Sequence, residues 1–145
     1  MKTLAVTVWR SYLFGGLLLM AFILATEPVH ATEFSCSSGD VTCLIAAINS
    51  ANGMPGDHII NLEPGSYTLQ AVDNGFVNGL PVISSSIRIQ GSAEDPPTVI
   101  ERDPNAPEFR IFEVSADGEL SLVGVKSKEV LVSSWRRCNV YLIVG

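Results

Sequence analysis

His58, Arg88, Glu113, the aspartates Asp95, Asp103 and Asp117, and the serine run 84–86 are the side chains able to move a proton, hold a cation or attack a carbonyl. Cleaving a polysaccharide by β-elimination would need acidic cation ligands and a basic proton abstractor together on one strand face. A serine nucleophile would need a histidine in reach. Each of the three aspartates is followed by Pro or Gly. Asp side chains bond the nearby backbone in turns, so a turn role is expected for each. Asn61, Arg88 and Glu113 read as one outward column, with Arg88 and Glu113 on neighbouring strands. That pair reads as an exposed ion pair, worth under about 1 kcal/mol, rather than an acid–base pair. His58 stands ahead of "IINL" and reads as a surface residue. No phosphate loop and no flavin or nicotinamide fingerprint occurs. No CxxC spacing exists and His58 is the only histidine after residue 31, which argues against zinc. No catalytic, cofactor or metal residue is therefore expected. Arg88 and Glu113 remain as surface contacts, joined by Phe76 in the excursion "AVDNGFVNG" at 71–79, whose plainer reading is a solvated insertion.

The elements that would position these residues are short. "VTCLIAAINSAN" repeats Leu44, Ile45, Ala47, Ile48 and Ala51 at helical spacing. Asp40 or Thr42 is a suitable N-cap, and Asn52-Gly53 a suitable stop. One helix over about 41–52 is expected. Thr32 to Gly39 reads as a polar lead-in. After the helix come "HIINL", a Pro-Gly turn, "SYTLQ", "LPVI", "SIRIQG", "TVIERD", "FRIFEV" and "ELSLVGV". Each has apolar residues at period two, the mark of a half-buried strand. Asp117-Gly118 could mark a hairpin.

"IINL", "IRIQG" and "IFEV" recur after roughly 24 to 28 residues. Periods of about 20 to 50 suggest a solenoid, in which short strands stack on their equivalents in the next coil. The expected architecture is all-β: a parallel β-helix of about three coils with a short N-terminal capping helix. A β-sandwich of similar strands is the alternative. The interior list is Ile60, Leu62, Tyr67, Leu69, Ile87, Ile89, Ile100, Phe112, Val114, Leu120 and Leu122.

Processing and charge set further bounds. Lys2 and Arg10 precede the apolar run Tyr12–Ala25, and Val29-His30-Ala31 offers small residues where a signal peptidase reads. Residues 1–31 are expected to be a signal peptide, cleaved after Ala31. The rival, an uncleaved anchor, meets a run of 14 residues where a span needs about 20. Residues 32–125 hold three basic residues against 13 acidic ones, whereas 126–145 hold four basic residues against one acid. An acidic body makes nucleic acid an unsuitable partner. Cys36 and Cys43 are close enough in sequence to pair in an oxidising compartment, leaving Cys138 alone.

"CLIAAINSANGMPGDHIINLEPGSYTL", followed by "LPVISSSIRIQG", "TVIERD" and "RIFEVSADGELSLVGV", resembles the N-terminal part of a bacterial protein family. These are secreted right-handed parallel β-helix proteins with a CSLREA-type start, of the choice-of-anchor or polymorphic-outer-membrane-protein-like kind. Cys43, Leu44, Ala47, Ile48 and Asn52 align with that start. Ile45-Ala46 replace its Arg-Glu pair. The resemblance covers about residues 36–125. It implies a pectin-lyase-like right-handed solenoid at the cell surface, outer membrane or outside the cell. It implies little about activity, because the fold hosts lyases, adhesins and structural passengers alike. After Val125 the pattern breaks into "KSKEVLVSSWRRCNVYLIVG". Residues 126–145 are thus expected to be an atypical tail, from a truncated or frame-shifted gene, or else a strand pair closing a short solenoid. The functional expectation is a non-catalytic binding, adhesion or structural module, with an extracellular polysaccharide or cell-surface protein as partner and no membrane span after cleavage. The alternative is the stub of a carbohydrate-active β-helix enzyme whose site lies on missing coils.

Overall fold

The structure, a computed structural model, describes residues 31–73, 78–128 and 140–143. The expected leader and Cys138 lie outside them, as does Phe76. The elements run β1 (Thr32–Cys36), α1 (Val41–Asn52), β2 (Asp57–Leu62), β3 (Gly65–Leu69), β4 (Ser86–Gln90), β5 (Thr98–Arg102), β6 (Glu119–Val123), β7 (Val125–Lys128) and β8 (Val140–Ile143). They form two sheets, ordered β1-β2-β4-β6-β8 and β3-β5-β7, and every pairing between these strands is parallel. The protein is strand-rich, with one helix among the described residues. That helix is not long and apolar enough to cross a membrane, and no other described helix is.

Period-two patterning aims one row of each strand inward. His58, Ile60 and Leu62 of β2 are buried, as are Ile87 and Ile89 of β4 and Leu120 and Leu122 of β6. Tyr67, Leu69 and Ile100 line the same core from the second sheet. All eleven residues on the interior list are buried. Register keeps like on like: Ile60 pairs with Ile89 and Ile89 with Leu122.

α1 forms where expected. Asp40 caps it, its Oδ1 accepting from Cys43 N at 2.9 Å, and Leu44, Ala47, Ile48 and Ala51 face the core. The helix packs chiefly against β1, β2 and β3.

Three local expectations change. The polar lead-in is a strand: β1 pairs with β2 from Thr32↔His58 to Cys36↔Leu62. The third repeat is β6, not "IFEV", because Leu120 and Leu122 take the register positions beside Ile87 and Ile89. Ile111, Phe112 and Val114 instead fill the core from a connection that touches its neighbour through isolated bridges, Asn78↔Arg110 and Ile83↔Val114. "LPVI" is part of that neighbour, the β3–β4 connection, rather than a strand. The spacing is correspondingly uneven: 29 residues from His58 to Ile87, then 33 from Ile87 to Leu120. Asp117-Gly118 makes no antiparallel hairpin; the turn delivers β6 into the parallel sheet.

The sheets also continue past Val125. β7 pairs with β5, and β8 with β6, both in parallel. The pattern break expected at that point does not end the strand pairing. Gly124 makes the β6–β7 step possible: its φ is +65°, and a Cβ there would sit 2.5 Å from the Gly91 carbonyl oxygen of the turn beneath.

Candidate functional site

The end of the sheets under α1 is where polar side chains converge. Cys36 closes β1 and Cys43 lies in the first turn of α1; a disulfide joins them. Tyr67 points inward from β3 and is fully buried, its hydroxyl 3.1 Å from Cys36 O, 2.9 Å from Ser37 O and 3.2 Å from Glu63 O. One phenolic proton serves three carbonyls by turns, so the hydroxyl ties the disulfide-bearing loop to the β2–β3 turn. Burial pushes the Tyr67 hydroxyl above its ordinary pKa, and the nearby Glu63 carboxylate adds to the rise. Glu63 Oε2 in turn accepts from Ser38 N at 3.1 Å.

Asn52, the last residue of α1, reaches the next layer. Its Nδ2 donates to Val82 O at 2.7 Å, and its Oδ1 accepts from Ser84 N at 2.9 Å and Ser85 Oγ at 3.3 Å. The serine run is thus tied to the helix end, and its role is positional. Asp103 takes the expected turn role, accepting from Asn105 N at 2.8 Å.

The outward faces of β2, β4 and β6 enclose a notch of about 350 Å³ that Ala31, Asp57, Ser86, Arg88, Glu119 and Ser121 line. Asp57, Ser86 and Glu119 form one row across the three strands, and Ile59, Arg88 and Ser121 form another. Arg88 therefore stands beside Ile59 and Ser121, and the expected column with Asn61 and Glu113 is corrected. Asn61 pairs in register with Gln90. Glu113 lies in the connection before β6, where it accepts from buried Asn78 Nδ2 and meets Arg110 at 3.5 Å. The mis-set third repeat explains the error, since it moved Glu113 by a whole strand.

His58 is corrected as well. It is 1% exposed and faces inward from β2, with Nε2 3.2 Å from Met54 O and Nδ1 buried without a partner. A histidine at the first position of an alternating strand takes its face from the phase of that strand, and Ile60 and Leu62 set that phase. Asn52, Asn78 and the Tyr67 hydroxyl went unnoticed as polar anchors. An Asn at a helix end reads only as a stop signal, and the apolar pattern around Tyr67 hides its hydroxyl.

Among the described residues, no three His, Cys, Asp or Glu side chains gather to hold a metal ion. Compared with known protein families, curated proteins and solved structures, the chain matches none.

Proposed function

We propose that this chain carries the N-terminal cap and first coils of a secreted or cell-surface right-handed parallel β-helix, of the CSLREA-type kind, and acts as a non-catalytic binding or structural module. The observation that carries this reading is the register. Strands about 30 residues apart lie side by side in parallel in two sheets, and a helix packs chiefly on the first of them. A sandwich built from hairpins would pair its strands antiparallel. An open end of stacked strands exposes apolar interior and unpaired edges, and α1 with its disulfide supplies a cover at one end. The employment of the polar groups supports a structural role: Asp40, Asn52, Glu63 and Tyr67 all hold backbone in place. The outer sheet face is the surface left for a partner, an extracellular polysaccharide or a cell-surface protein.

The test expresses the full chain in a bacterial host, fractionates the cells, and presents the exported protein to cell surfaces and to acidic and neutral polysaccharides. Export with retention on one of these, and no release of sugar ends, is the expected result. Retention in the cytoplasm would refute the location. Turnover of a polysaccharide would refute the non-catalytic role.

A further inference from the structure

We infer that the notch at the start of β2, β4 and β6 is a binding site for the chain's own α-ammonium, created at Thr32 when the bond to Ala31 is cut. The inference rests on the proposed export of the chain. Two independent observations meet at one peptide bond. The leader pattern ends at Val29-His30-Ala31, and β1 begins at the next residue, Thr32. Ala31 itself lines the notch.

The notch is short of a donor. Asp57 and Glu119 place two carboxylates on one row, with Arg88 on the next, and none of the three side chains has a hydrogen bond or ion pair to a described residue. His58 also lines the notch. Asp57 is the carboxylate on the strand next to β1, whereas Glu119 lies two strands farther, about 9–10 Å across the sheet, so an ammonium on β1 pairs with Asp57. Thr32 stands opposite His58 in register, so its nitrogen runs about one strand spacing, about 4.8 Å, from the Asp57–His58 step.

In the uncut chain that nitrogen is a neutral amide with one N–H. Hydrolysis by a leader peptidase adds one water across the bond. The Ala31 carboxylate leaves with the leader, and Thr32 keeps an ammonium with three donors. Maturation thereby completes the charge set at the start of the first sheet and holds edge strand β1 in register.

The test uses the exported protein and reads acylation of its N-terminal amine by an N-hydroxysuccinimide ester at pH 7, followed by mass spectrometry. A carboxylate within about 4–6 Å favours the charged, unreactive form. Acylation about fivefold slower than in a peptide of the same first residues is expected, with Asp57→Asn restoring most of the rate. Asp57 is exposed, and a thermal melt checks that the variant is folded. A second variant with Gly-Ser-Gly-Ser inserted after Ala31 carries the ammonium beyond the Ala31 position that lines the notch and should acylate at the peptide's rate. Equal rates for protein and peptide, or an unchanged rate in Asp57→Asn, would overturn the inference. An exported protein that begins elsewhere than Thr32 also overturns it while leaving export intact. A chain that is never exported removes the reading beneath it as well.

Discussion

Under α1, strands β1, β2 and β3 are held by more than strand pairing. A disulfide crosses from β1 to the helix, Tyr67 gathers three carbonyls, and Asn52 bonds the segment 82–85 that leads into β4. At the other end, β7 and β8 are the outermost of the described strands in their sheets, away from the strands on which the helix chiefly packs. The Ser127 hydroxyl there is buried with no partner, in register with Ile100. The difference teaches that parallel stacking passes register from strand to strand, whereas the end under α1 is fastened by further bonds. Closure needs side chains that satisfy backbone groups across layers, and those side chains are concentrated where the helix is.

The largest effects should come from the shared core. Ile60→Ala, beneath α1, should cost about 4 kcal/mol in global stability, and Leu122→Ala, on β6, about 3 kcal/mol. Denaturant melts give the totals, and amide exchange sharpens the contrast. Leu122→Ala should speed exchange in β6 and β7 through local opening, while Ile60→Ala speeds it everywhere. Uniform acceleration in both variants would erase the distinction between the two ends.

Reducing the Cys36–Cys43 disulfide, or replacing both cysteines with Ala, should cost about 2 kcal/mol for a loop this short. The loss should appear first as faster exchange in β1 and the start of α1. A loss seen first in β6 would mean that the disulfide does not belong to the cap.

Two hydroxyl deletions should differ in sign. Tyr67→Phe removes the hydroxyl's bonds to the Cys36, Ser37 and Glu63 carbonyls, while Glu63 N and Asp40 N still serve Cys36 O and Ser37 O, and should destabilise by about 1 kcal/mol. The variant should also change the alkaline limb. The raised pKa of Tyr67 contributes stability that is complete below pH 10, the ordinary tyrosine value, and is lost as pH rises through the folded value. Tyr67→Phe should flatten that loss in melts run between about pH 9 and 12. Ser127→Ala, the smallest change, should be neutral or stabilise by up to about 1 kcal/mol, because it removes a buried hydroxyl with no partner. A clear destabilisation by Ser127→Ala would show that the far end is closed by polar contacts too.

Much of this was legible in local pattern. Period two marks β2 to β6 and their inward residues, since alternating side chains must face opposite sides of a strand. Asp40 and the 3.6-residue repeat mark α1, and seven-residue spacing brings Cys36 within reach of Cys43. These are consequences of backbone geometry over a few residues, so neighbouring residues suffice to read them.

Which strand lies beside which was legible only in part: the repeat set "IINL" beside "IRIQG", as β2 and β4 are, but misplaced the third strand. "IFEV" and "ELSLV" carry the same local signal, and only packing decided that β6 joins β4 while Ile111, Phe112 and Val114 fill the core from a connection. The same choice separated Arg88 from Glu113 and put Arg88 in the notch with Asp57 and Glu119. "TEFSC" has little strand signal by itself and becomes β1 because β2 offers it an edge. Burial of His58 and the clamp made by Asn52 likewise depend on residues about 25 to 35 positions away. Pairing across such distances is set by how connection lengths and core volumes fit together, a property of the assembled layers that no short window of sequence contains.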